Sequence, residues 1–228
     1  MSTALLFVHW KQIRIALVPF MAAAFALPLL AVQGMGTPEG MTAVSMQAYR
    51  VVGGYQQWLP FFPILATVLG VTLALSAWNW DHQREHVYAL SLPLPRWRYA
   101  MLKMGAGAAL ALLPVAAFWV GSLAAAASVS LPSGLHAYPN QLALRFLVAT
   151  LVAYAVVFAM ASGTIRTTVW IITGVIAFLF LGNLLNDYLS VHIAWFQRTN
   201  MVEAALRWLW SAPGPFHVFT GNWMLFDV

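Results

Sequence analysis

His82 and His86 are the pair of side chains in this 228-residue chain whose spacing points most directly to chemistry. An i, i+4 separation puts both imidazoles on one helical face, as a metal or haem site requires. Their surroundings favour a polar surface instead, because Asp81, Arg84 and Glu85 share the most charged stretch of the chain with them. The other histidines, His9, His136, His192 and His217, fall near the ends of apolar segments, whereas haem ligation needs pairs facing each other across a bundle. No metal and no cofactor is expected. Cysteine is absent, which excludes disulfides, iron–sulfur clusters and zinc–thiolate sites.

Other reactive constellations are missing from the sequence. There is no G-x-x-x-x-G-K-[ST], no H-E-x-x-H and no G-x-S-x-G, so the chain offers no motif for hydrolysing a nucleotide or for a zinc or serine hydrolase. No catalytic residue is expected. The apolar segments hold almost no charge at depth, and proton-coupled pathways need Asp, Glu, Lys or Arg there. If the protein moves a solute, the energy comes from another subunit.

The elements that position these residues follow from composition. Hydrophobic residues make up 62% of the chain and charged ones 7%, far from the quarter charged and under-half apolar of soluble domains. An all-α polytopic membrane protein is implied, a single transmembrane domain over 1–228, with room for five or six crossings of about 20 residues each. The net charge of +5 does not signal nucleic acid, because the basic residues lie beside apolar spans, where they set orientation.

Residues 2–14 mix Leu5, Leu6, Phe7 and Trp10 with His9, Lys11 and Arg14, a pattern suited to an N-terminal interfacial helix; a signal peptide is the other reading of this segment. Spans are expected over about 15–32, 58–78, 104–128, 142–163 and 168–185, with Arg145 snorkelling at an outer end. Beyond them, 188–228 is an aromatic extracytoplasmic or re-entrant tail interrupted by Arg207, Pro213, Gly214 and Pro215. Lys11, Arg14, Arg84, Arg96, Arg98, Lys103 and Arg166 fall on one side and Arg50, Arg145, Arg198 and Arg207 on the other. The bias places the N-terminus and the segment 81–103 in the cytoplasm. Small residues at Gly105, Gly107, Ala109 and Ala111 suit close helix packing, within the subunit or in a dimer.

The cytoplasmic segment combines Asp81, Arg84, Glu85 and Tyr88 with a proline-broken Leu92-Pro93-Leu94-Pro95 and then Arg96, Arg98 and Lys103. Such a stretch makes a rigid protrusion suited to docking a cytoplasmic partner; an ordinary positive-inside loop is the plainer reading. The run Glu85, Leu90-Ser91-Leu92-Pro93, Arg96 and Lys103 resembles the permease subunits of ABC-2-type transporters, and the N-terminal segment resembles that family's elbow helix. The resemblance covers about 2–187. It implies that Asp81–Lys103 holds a coupling helix docking on a separate ATP-binding cassette ATPase, with Asp81, Arg84, Glu85, Tyr88, Leu92, Pro93 and Arg96 at the contact. It further implies a second permease, the same or different, in the cytoplasmic (inner) membrane. The family usually carries six spans, and the aromatic tail departs from that pattern. Two other readings stand beside it: a haem- or quinone-associated membrane redox subunit, and a non-transporting assembly or scaffold subunit.

Overall fold

The computed structural model describes residues 2–33, 53, 55–83, 95–129, 131, 134–163, 165–192, 201–221 and 223–227. They form helices α1 (Ser2–Gln33), α2 (Phe61–Gln83), α3 (Arg96–Ala127), α4 (Pro139–Ser162), α5 (Ile165–His192), α6 (Met201–Trp210) and α7 (His217–Thr220), and two short strands, β1 (His136–Ala137) and β2 (Phe226–Asp227). The chain is an all-α membrane-type protein. It divides into two compact units, Met1–Phe158 with Asn222–Val228, and Ala159–Gly221.

Four helices among the described residues are long and apolar enough to cross a membrane, over Leu6–Gln33, Phe61–Asn79, Trp97–Ala127 and Pro139–Ser162. The sequence predicts five. The fifth expected span falls in α5, whose described apolar stretch is Thr167–Gly182.

Two boundaries also differ from expectation. No break separates residues 2–14 from the first span: α1 is one helix of 32 residues. Its sequence contains no Gly or Pro before Pro19, so nothing halts the helix at Arg14, and the expected interfacial element forms its first turns. Likewise α3 begins at Arg96, eight residues before the expected span, directly after an extended Pro95 at its N-cap (φ −62°, ψ 138°). Proline excludes the residue before it from helix yet tolerates helix immediately after.

In the first unit the helices pack through a small set of close approaches. Phe118 of α3 stacks on Phe146 of α4 at 4.2 Å and meets Phe62 of α2 edge-on at 5.8 Å. At the other end Trp78 of α2 touches Phe158 of α4 at 5.2 Å. These contacts make α2 and α4 run parallel and α3 run against both. A Cβ on Gly70 would lie 2.7 Å from the Thr150 carbonyl oxygen, and one on Gly121 would lie 2.3 Å from that of Phe25, so glycine is what lets α2 approach α4 and α1 approach α3. The buried hydroxyls of Ser122 and Thr150 are satisfied within their own helices, Ser122 donating to the Phe118 carbonyl and Thr150 to that of Phe146, both at 2.8 Å. Such back-bonding keeps these two hydroxyl hydrogens from facing apolar surroundings. The outward faces are apolar too, with Ile15, Val18, Phe61, Ile64, Leu112 and Leu144 exposed, as lipid contact demands.

The same unit is closed at the Phe118 end by the last described residues. After a turn in which Gly134 takes φ +102°, a conformation that favours glycine, β1 pairs antiparallel with β2 in the register His136↔Asp227 and Ala137↔Phe226. The Tyr138 N–H donates to the Leu225 carbonyl at 2.8 Å. Trp223, Leu225 and Phe226 are buried, with Trp223 stacked on Phe62 at 6.4 Å and Phe226 edge-on to Tyr55 at 6.1 Å. The Arg145 guanidinium lies 5.4 Å from the Trp223 ring centre.

In the second unit the described side chains of α5 present apolar groups on every side, among them Val169, Trp170, Ile172, Val175, Ile176 and Phe180. The α6–α7 pair folds back on itself: the Phe216 N–H donates to the Leu209 carbonyl at 3.1 Å, and the Thr220 hydroxyl to that of Trp210 at 3.0 Å.

Candidate functional site

The segment expected to dock a partner, 81–103, is mostly helix at its two ends. Asp81 belongs to the last turn of α2 and Arg96 is the first residue of α3, which leaves 84–95 as the connection. Arg84, Glu85, Tyr88, Leu92 and Pro93 lie outside the described residues, as does His86. The expected cytoplasmic loop is corrected at its far end, since Arg98 and Lys103 belong to α3.

What the structure brings together is the base of that connection. Along α3 the buried positions Tyr99, Lys103, Ala106, Leu110 and Ala111 recur at three- and four-residue spacing, so Lys103 occupies the packed face and not the surface. Only 6% of it is exposed. Its ammonium lies 4.5 Å from the Trp78 ring centre and 5.2 Å from that of Tyr99, and it donates to the Tyr99 hydroxyl at 3.4 Å. A cation over aromatic faces in a dry setting is worth about 0.5–2 kcal/mol per contact. The arrangement ties the last turns of α2 to the first turns of α3 across the connection. From α4, the Tyr154 hydroxyl donates to the Met104 carbonyl at 3.2 Å. Gly107 makes that possible: a Cβ there would sit 2.2 Å from the Tyr154 oxygen. His9 of α1 is also buried.

The four small residues of α3 divide between two faces. Gly107 and Ala111 are buried in the unit, whereas Gly105 and Ala109 are exposed, with nothing within 4 Å of a Cβ built on Gly105. Chemically, the Lys103 cluster offers a fixed positive charge in an aromatic frame and no nucleophile beside a base. Among the described residues no group of three or more His, Cys, Asp or Glu is gathered.

The chain matches no protein-family model, no curated protein and no solved structure.

Two features of the site are not legible in the residue pattern. Lys103 reads as one more positive-inside charge, because Arg96 and Arg98 precede it and only the position of the helix start shows that it faces inward. Trp223, Leu225 and Phe226 read as part of an aromatic tail. Trp223-Met224-Leu225-Phe226 is a short apolar run with no alternation, and such a run without a visible partner does not specify a pairing.

Proposed function

We propose that the chain is the membrane-spanning permease subunit of an ATP-driven ABC-2-type exporter, without an ATPase motif of its own. It couples to a separate ATP-binding cassette subunit through the Asp81–Lys103 segment. The observation that carries the reading is the run Glu85, Leu90-Ser91-Leu92-Pro93, Arg96 and Lys103 between two antiparallel apolar helices. The clamp formed by Lys103 with Trp78 and Tyr99 supports it, because a docking loop transmits force only if its base is stiff.

In this reading the N-terminus and the 84–95 connection face the cytoplasm of a bacterial-type cell, and a second permease pairs with the first. The exposed Gly105 and Ala109 of α3 suit close approach of that second copy. The apolar helices and the lack of charged residues at depth are compatible with a hydrophobic cargo.

The deciding experiment is affinity capture of the tagged chain from detergent-solubilised native membranes, with mass spectrometry of what accompanies it. Recovery of a cassette ATPase is the expected result. Recovery of a cytochrome with a visible Soret band favours the redox-subunit reading instead. A captured ATPase whose activity ignores every change in 84–95 favours the scaffold reading.

A further inference from the structure

α6 carries two opposite charges, both on one side of a short helix. With 3.6 residues per turn, Glu203 and Arg207 share a side, where they form an ion pair, and Ala205, Trp208 and Leu209 fall within an arc of roughly 100° on the opposite side. Ten residues rise about 15 Å, half of a hydrocarbon core, so α6 is too short to span. It packs against α5 of its own unit, whose described surface is apolar and exposed; on the apolar side of α6 itself Trp208 is exposed while Ala205 and Leu209 are half-buried, so that side is covered in part and open in part. Trp208 is 64% exposed, and indole favours the depth where acyl chains meet headgroups.

We propose that α6 lies along the membrane–water interface, with Ala205, Trp208 and Leu209 among the acyl chains and the Glu203–Arg207 pair toward water. The partner is the bilayer itself. The two charges of α6 neutralise each other, so apolar burial holds the helix and an anionic headgroup is not required. The α7 turn, bonded back to the Leu209 and Trp210 carbonyls, satisfies the end of α6 that would otherwise face lipid with bare acceptors.

The absence of cysteine makes a background-free test available. The full chain carrying a nitroxide at Ala205→Cys, Leu209→Cys, Glu203→Cys or Arg207→Cys is placed in nanodiscs of phosphatidylcholine alone, and in others with added phosphatidylglycerol. Collision with oxygen is then compared with collision with a water-soluble nickel chelate. The oxygen-to-nickel ratio is expected to be several-fold higher at 205 and 209 than at 203 and 207, equally in both lipids. Equal nickel access at all four sites would place α6 in water and overturn the proposal. Shielding of 205 and 209 from both reagents would mean that protein covers them, and a pattern present only with phosphatidylglycerol would overturn the neutral mode of binding. Four labelled positions keep the test open if one variant fails to fold.

Discussion

A lysine on the packed face of a membrane helix keeps its charge only if the surroundings supply what water would. Around Lys103 those surroundings include two aromatic rings and a phenol oxygen. Replacing the lysine by methionine keeps the length of the side chain but takes the cation away from the groups that surround it. Lys103→Met is accordingly expected to lower stability in detergent by about 1–4 kcal/mol, the loss of two cation–aromatic contacts at about 0.5–2 kcal/mol each, and Trp78→Ala to cost about 3–5 kcal/mol through the cavity it opens; thermal unfolding followed by tryptophan fluorescence measures both, and an unchanged midpoint in Lys103→Met would show that the cluster does not hold the two helices together. At the opposite end, burial pushes the Tyr55 hydroxyl well above the ordinary tyrosine range. Because the folded value is raised, the stability it contributes is complete below the unfolded value of about 10 and is lost as pH climbs from there toward the folded one. Alkaline unfolding is expected to set in at higher pH in Tyr55→Phe than in the parent chain; identical midpoints would exclude this group as the cause. Under the proposed coupling, Glu85→Arg is expected to reduce recovery of a cassette ATPase at least several-fold by reversing a charge at the proposed contact. Unchanged recovery would remove Glu85 from that interface.

The helices of the first unit were largely legible as apolar runs, because length and hydropathy alone determine whether a segment can cross lipid. Their packing faces were not. In a soluble helix the polar side marks the outside, but Ile15 and Leu17 of α1 are equally apolar while one is 78% exposed and the other 1%. Lipid and protein core ask for the same residues, so pattern cannot separate them. Glycine carries part of the missing information. Gly105 and Gly107 look alike in sequence, yet an added methyl meets open space at the first and the Tyr154 ring at the second. Gly107→Ala is expected to cost about 1–3 kcal/mol through overpacking, and Gly105→Ala to stabilise by about 0.5–1 kcal/mol through helix propensity. A double-mutant cycle with Tyr154→Leu checks the assignment, since the Gly107→Ala penalty should shrink once the ring is gone. If Gly105 also faces a second copy, Gly105→Leu should lower the dimer fraction seen by crosslinking while leaving the monomer folded.

Across the first unit as a whole, Phe62, Phe118, Phe146 and Trp223 gather at one end and Trp78, Lys103 and Tyr154 at the other. The chain leaves this unit after Phe158, at the Lys103 end, and re-enters it at the opposite one. Protease-protection mapping in oriented vesicles should therefore find a tag inserted after Gly134 and a tag following Val228 on the same side of the membrane. A tag within 84–94 should lie on the other. Tags at 134 and 228 on opposite sides would sink the strand pairing.

The pairing of β1 with β2 also governs when this structure can be completed. Residues 136–137 are translated about 90 residues before their partners 226–227, and closing a flexible loop of that length costs roughly 4 kcal/mol of chain entropy. Two residues of ladder do not offset that. Burial of Trp223, Leu225 and Phe226 does, at about 1.5–3 kcal/mol for each large side chain. During biosynthesis the helices can thus insert and pack while the Tyr55–Phe62 end stands open, and the final strand arrives as a late clasp. A nascent chain stalled before residue 223 would be a membrane-inserted bundle with one unsealed end, the state in which quality-control proteases and chaperones would first meet it.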